Sequence, residues 1–405
     1  MSKVIRQLRV LLNEVPVGRL TLDDAEICEF HLYESYRKSS PRLVLGQQFE
    51  DDLFKHYRAR SRLPRWFSNL LPEGALRKLV EEQAGHREFD LLVRLGKDLP
   101  GAVRIEVEPN VGGTEESADW MADSDPASPL DDGTWHFSLA GVQLKFSANR
   151  IDRGMTIPVS GQGGDWILKL PDPRFPNVPA NEYATMRWAA ASGINIPEID
   201  LLDLSSVIGL PQEGVPRHET QAFAIRRFDR PSADGRVHME DLAQVLNLYP
   251  EQKYSQFNYE TIARLTLELA GHAALKQLVT RLVFMLASGN GDAHHKNWSF
   301  LYPDGVRAEL SPAYDQVSTI QYMTSDSLAL NLGGTKLWAD KRVETFVRLA
   351  RKIGFDEREM GDWVGEAVTA VCGAWSAAAT DFGYDQMTRK RIESHMNEIP
   401  VLKGA

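Results

Sequence analysis

Asp292, His294, His295, Lys296 and Asn297 crowd into one short stretch, GNGDAHHKNWSF (289–300), between an apolar helical run, RLVFMLAS, and a strand-like segment. These types could do three things: bind a metal through the histidines, cap a helix as a polar loop, or form a catalytic loop. The zinc reading is the weakest. Adjacent side chains rarely point at one ion, and HHKN lacks the H-x-x-x-H spacing of common zinc enzymes.

The catalytic reading gains from the residues on the C-terminal side of the loop. Asp292 and Asn297 stand in the order D-x-x-x-x-N, WSFLY and VRAEL flank the turn residues Pro303-Asp304-Gly305, and Asp315 comes after them in SPAYD. A loop, a hairpin and a second Asp is the arrangement of kinase active sites. One carboxylate accepts or orients the proton of an attacking hydroxyl. An amide oxygen and a second carboxylate hold Mg²⁺ against the ATP phosphates, because that ion prefers hard oxygen ligands. A hairpin is a rigid way to bring the second Asp back beside the loop.

Upstream, DWILKLPD puts Lys169 in an apolar, alternating strand, where an unpaired ammonium is costly to bury. It either reaches water from an edge strand or meets a carboxylate, and Glu182, at the start of the next helix, is the candidate partner. FSLAGVQLKFSA (137–148) places a Gly and small residues between two strand-like arms. It reads as a phosphate-covering loop or as a plain hairpin, and it matches neither common glycine-rich nucleotide motif.

Those residues need elements to position them. The stretch 109–134 is rich in Gly, Ser, Pro and acidic residues and has no Lys or Arg, so it reads as an acidic linker. Before it, residues 1–108 show strand-like runs around Asn13-Glu14, a strand in FHLYESY and amphipathic helices after LPEG and HREF: a small α+β domain. Residues 135–238 are rich in strands (WHFSLA, VQLKFSA, DWILKL, AFAIRRF), interrupted by a helix with Asn181 as N-cap and Gly193 as its end. Residues 239–405 turn helical, from MEDLAQVL through NYETIARLTLELAG and AALKQLVTRLVFMLAS. The expected class is α+β, a β-rich lobe and an α-helical lobe with a cleft between them.

The bulk numbers narrow the function. The chain has 405 residues, 43% hydrophobic and 25% charged, as in ordinary globular proteins. A net charge of -10 argues against strong nucleic-acid binding by the whole chain. HYRARSRLPRW (56–66) and TRKR (388–391) are the candidates for a local basic face, and solvated helix faces are the favoured reading of each. Cys28 and Cys372 are far apart, which excludes a disulfide framework and a cysteine zinc site. With no signal peptide and no apolar run of the ~20 residues that span a bilayer, the expectation is a cytoplasmic protein without a membrane.

Taken in order, FSNLLPEG, FDLLVRLGKDLPGAVRI, SLAGVQLKFSA, the Lys169 strand, PANEYATMRWAAASGI, RRFDR, MEDLAQVL, GNGDAHHKN and LSPAYD resemble the HipA family of serine/threonine toxin kinases. The resemblance covers nearly the whole chain. It implies an N-terminal domain on a two-lobed kinase core that uses ATP and Mg²⁺. By it, Asp292 is the catalytic base, Asn297 and Asp315 are the Mg²⁺ ligands, and Lys169 binds phosphates. His294 and Tyr314 lie near the nucleotide. Ala140, Gly141, Val142, Gln143, Leu144 and Lys145 form the phosphate loop, and Arg226, Arg227 and Phe228 form the hinge that meets adenine through backbone groups. Ser138 matches the family's autophosphorylated serine, whose modification expels the loop; a group of charge about -2 does not stay packed beside ATP phosphates. Arg226 departs from the acidic residue common there. The implied partners are a small HipB-like helix-turn-helix antitoxin, operator DNA reached through that complex, and a translation-related protein substrate, a translation factor or an aminoacyl-tRNA synthetase. Two alternatives remain at this level: a small-molecule or lipid kinase on the same scaffold, and a catalytically silent nucleotide-binding regulator.

Overall fold

The computed structural model describes residues 6–108 and 144–404, apart from 152–153, 158–162, 211–215, 217, 233–234 and 324–325. The acidic linker therefore lies outside the described residues, as do Ser138, Ala140, Gly141, Val142 and Gln143.

The N-terminal domain is built on an antiparallel sheet of order β4-β3-β2-β1-β5: β1 (Arg6–Leu12), β2 (Val15–Leu22), β3 (Ile27–Leu32), β4 (Tyr57–Arg60) and β5 (Val103–Val107). Alternation builds its inner face: along β3, Cys28, Phe30 and Leu32 point into the core while their neighbours stay partly wet. Phe30, Phe49, Trp66 and Phe67 pack there edge-on and tilted, with centroids 4.7–6.3 Å apart. FHLYESY is only half strand, because the chain turns into the short helix Glu34–Arg37 after Leu32 and Tyr33.

A six-stranded sheet follows, with order β10-β7-β6-β8-β11-β9: β6 (Lys145–Ile151), β7 (Gly154–Thr156), β8 (Trp166–Lys169), β9 (Ile199–Asp203), β10 (Val207–Ile208) and β11 (Gln221–Arg226). Its β8 is interior, so Lys169 is not an edge-strand lysine. Trp166 and Leu168 face one core, and Lys169 faces the other side beside Phe223. The helix Val178–Ala191 packs on β11 and starts three residues before the expected Asn181 N-cap. Pro179, in the first turn, explains the earlier start, since its fixed φ and missing N–H suit that position. Asn181 is instead buried inside the helix, where its side chain bonds the backbone of Ser318. Gly193, with φ +78, follows the helix end as expected.

MEDLAQVL is likewise not one helix. His238–Asp241 is β12, which pairs with β13 (Ser299–Tyr302), and β13 pairs with β14 (Glu309–Leu310); only Leu242–Val245 is helical. Asp241 caps that turn by accepting from Gln244 N, so the chain changes element within the motif. The two helical runs after it join as Tyr259–Ser288, kinked at Gly271 with φ +80. Helices Val343–Ile353, Glu357–Ala378 and Gln386–Glu398 complete the α-helical lobe. Among the described residues no helix is long and apolar enough to cross a membrane.

Buried polar contacts fasten the N-terminal domain to the rest. Glu240 of β12 accepts from Gln47 N (3.0 Å), Trp66 Nε1 (3.2 Å) and Tyr302 Oη (2.6 Å). Asp98 takes Arg227 at 3.1 Å and Arg230 at 3.2 Å, while Gly101 N donates to Asp229 at 2.9 Å. Gly101 has φ +71, and a Cβ there would lie 2.8 Å from Met239 N, so only glycine lets the two parts approach this closely. The 56–66 run is not a free basic face. Arg58 pairs with Glu29, Arg62 pairs with Glu251 and covers the ring of Tyr249, and Trp66 is core.

Candidate active site

The long helix ends at Gly289, whose φ of +63 turns the chain out. Gly291 N then donates to Thr319 Oγ1 at 2.7 Å, and Asp292 N donates to Asn290 Oδ1 at 3.0 Å. The backbone is thus pinned at Asp292 and at the residue before it, and His295–Asn297 closes as a 3₁₀ turn. The expected hairpin forms from β13 and β14 and returns the chain to Asp315, whose φ is +57.

The structure brings Lys169, Glu182, Asn297 and Asp315 together. Lys169 Nζ lies 2.5 Å from Glu182 Oε1 and 2.5 Å from Asp315 Oδ1. Asn297 Nδ2 donates to Asp315 Oδ2 at 3.4 Å. Burial disfavours the charge on Asp315, but Lys145 and Lys169 outweigh it and hold the carboxyl well below the usual range. Burial also opposes the charge on Lys169, and its two carboxylate partners reverse that and raise it. Glu182, wholly enclosed, is pushed up by burial. The β6–β8 register sets Lys145 directly opposite Lys169, which puts its ammonium 3.6 Å from Asp315 Oδ2. Lys145 therefore begins a strand rather than ending a loop. Leu144 before it is a core side chain whose carbonyl accepts from Leu170 N.

Asp292 sits at the rim, exposed, with Tyr254 Oη donating to its Oδ1 at 2.6 Å. Crowding by protein atoms raises its pKa, and Asp315 adds to this while the Tyr254 bond opposes it. His294 is buried and neutral: burial, helped by Lys253, pushes its imidazole down to about 3, and its Nδ1 has no partner. Tyr314 sends its hydroxyl away to Ser299 Oγ and Lys296 O, and its ring lies 5.5 Å from that of Phe228. The backbone N–H groups of Arg226 and Arg227 already donate to Glu198 O and Asp165 O. Neither is free for a ligand, whereas Phe228 N has no partner among the described residues. The Arg226 side chain points to solvent beside Glu198, and that of Arg227 points into the Asp98–Asp229 network. Both side chains therefore point away from the site.

The donor set fits a hard divalent ion. Asn297 Oδ1 is buried with no hydrogen-bond partner among the described residues, while its Nδ2 faces the Asp315 carboxylate, which stays ionised. An orphaned amide oxygen is costly in a folded protein unless something binds it. Two lysines next to that carboxylate offer places for phosphate oxygens.

Sequence reasoning missed the groups that brace the loop. Glu73 of FSNLLPEG reaches Lys253 at 2.7 Å and Lys296 at 2.9 Å; burial opposes its charge, but the two lysines win and hold it at about 2. Lys296 Nζ also donates to Asn69 O, and His295 N and Nδ1 both bond Lys253 O. His295 and Lys296, which carry no role in the sequence reading, are anchors. The only signal was that LPEG and HHKN both stood out as motifs.

Comparison with known proteins agrees with this architecture. Residues 8–106 match the family model for the HipA N-terminal domain, and residues 137–375 match that for the HipA-like C-terminal domain. The chain belongs to the HipA family. It is 41% identical over 98% of both chains to Y4dM of Sinorhizobium fredii, which carries a provisional kinase name. It is 23% identical to the serine/threonine-protein kinase toxin HipA of Shewanella oneidensis, over 78% of this chain and 76% of that one. The HipA chain in the Shewanella oneidensis complex of HipA, HipB and operator DNA superposes with a TM-score of 0.70 at 19% identity, covering 96% of this chain and 95% of that chain. The two share the fold, a kinase-like core carrying an N-terminal domain.

Proposed function

We propose that this HipA-family chain is an ATP- and Mg²⁺-dependent kinase that phosphorylates serine or threonine on a protein and acts as the toxin of a toxin–antitoxin pair. The observation that carries the reading is the convergence of Lys169 and Asn297 on the Asp315 carboxylate, with Asn297 Oδ1 buried and without a partner among the described residues and Asp292 at the rim. Asn297 and Asp315 would hold Mg²⁺, which supplies neutralisation of phosphate charge. Lys169 and Lys145 hold the transferable phosphates against the sheet. Phe228, whose N–H has no partner among the described residues, and Tyr314 offer an edge and a ring for the base. Asp292 accepts the proton of the acceptor hydroxyl as its oxygen attacks the γ-phosphorus and ADP leaves. A carboxylate with a raised pKa suits that task.

The name of the Shewanella relative and its assembly with HipB and operator DNA support a small helix-turn-helix antitoxin as partner, with DNA contacted through that complex. A chain of net charge -10 fits this division of labour, since the partner supplies the phosphate contacts. A translation-related protein, such as an aminoacyl-tRNA synthetase, is the proposed substrate, and Ser138 the autophosphorylation site.

Purified chain incubated with γ-labelled ATP and Mg²⁺, alone and with lysate, tests this beside Asp292→Ala and Ser138→Ala. Label on the chain that both substitutions abolish, together with label on a lysate protein, is expected. Label found only in small molecules would move the function to a small-molecule kinase, and no label at all would leave a silent nucleotide binder.

A further inference from the structure

Tyr254 lies 38 residues before Asp292 in sequence, yet its phenol donates to Asp292 Oδ1 at 2.6 Å. The segment that carries it is fixed. Lys253, its neighbour, pairs with Glu73 of the N-terminal domain, and Lys253 O accepts from His295 N and Nδ1. The ring of Tyr254 stands edge-on to that of His294, with centroids 4.9 Å apart at 83°. One oxygen of Asp292 is thus held, while Oδ2 has no hydrogen bond among the described residues. Tyr254 also lines a cavity of about 190 Å³ with Gln256, Asn258 and Asn331.

We propose that Tyr254 is a positioning residue of the phosphoryl-transfer site, fixing the Asp292 carboxylate so that Oδ2 faces the acceptor hydroxyl, with its own placement set by the N-terminal domain through Glu73 and Lys253. This rests on the kinase reading above. An exposed aspartate would otherwise sample several rotamers, and a general base must be held within hydrogen-bond reach of the proton it takes. The hydroxyl orients the base and the ring only packs, so the two parts of the side chain are separable.

The test is the single-turnover self-labelling rate at saturating ATP and Mg²⁺ for wild type, Tyr254→Phe and Tyr254→Ala, with ATP affinity measured by titration calorimetry. Tyr254→Phe keeps the ring, so it is expected to fold and to bind ATP as the wild type does. Its transfer rate should nevertheless fall about tenfold, close to that of Tyr254→Ala. Tyr254→Phe with a wild-type rate overturns the proposal, because packing alone would then suffice. Weaker ATP binding in step with the lost rate also overturns it, since the residue would then serve the nucleotide. Phosphotyrosine at position 254 overturns it by making Tyr254 an acceptor. Wild-type chain that transfers nothing overturns the kinase reading and this proposal with it.

Discussion

The two halves of the candidate site are built in opposite ways. On the nucleotide side, Lys169 and Glu182 are almost wholly buried, at 5% and 0% side-chain exposure, and Lys169 is locked to both Glu182 and Asp315 by contacts of 2.5 Å. On the acceptor side, Asp292 is exposed and held by one phenol. The nucleotide half can be preorganised because every such nucleotide carries the same phosphates. On the proposed function, the acceptor half has to admit a protein, which fits its being open and steered by few bonds. Enclosed charges gain strength from low dielectric but depend on one another, and an exposed one does not.

Lys169→Met should break this contrast most strongly. It leaves Glu182 and Asp315 without their cation, and breaking a buried pair costs about 3–5 kcal/mol, so urea unfolding should show a large loss together with loss of ATP binding. Asp292→Asn should do the reverse. Transfer activity should fall by about 10²–10⁴-fold while the unfolding midpoint changes little, as expected for an exposed carboxylate. A variant with both losses would show that the two halves are not independent.

The contacts of the N-terminal domain with the rest of the chain sharpen the comparison through two glutamates, Glu73 on its side and Glu240 on the other. Glu73, held at about 2 by Lys253 and Lys296, adds stability above pH about 4.5 that is lost as pH falls toward 2. Glu240 behaves oppositely. Burial raises it to about 7 despite its hydrogen bonds, so stability is greatest below pH about 4.5 and is lost as pH climbs through 7. Glu240→Gln should flatten the stability profile between pH 4.5 and 7, and Glu73→Gln should flatten it below 4.5. Glu73→Gln should also slow transfer several-fold, a smaller effect, because its pairs are partly exposed and screened. Chemical denaturation across pH checks both.

Much of the core of the site was legible. Asp292, Asn297 and Asp315 lie within one loop–hairpin unit, so sequence order nearly fixes their meeting. The Lys169–Glu182 pair was legible because a strand and the helix after it pack as neighbours. VQLKFSA read as a strand while the resemblance put Lys145 at the end of the phosphate loop, and only strand register shows that it stands opposite Lys169. MEDLAQVL read as a helix because its apolar spacing fits one, yet Glu240 is needed on a strand to receive Trp66 and Tyr302. Long-range hydrogen bonds overrode local pattern there.

By itself the sequence determined the class of fold, the D-x-x-x-x-N loop motif and family membership, because periodicity and residue order are local properties. Only the tertiary structure decided which charges are buried, that Asn297 keeps an orphaned oxygen, and that Glu73 and Tyr254 reach the loop from distant segments. The physical reason is that burial and hydrogen-bond partnership depend on the whole packed chain. A side chain's neighbours in space are set by folding, and no spacing along the chain records them.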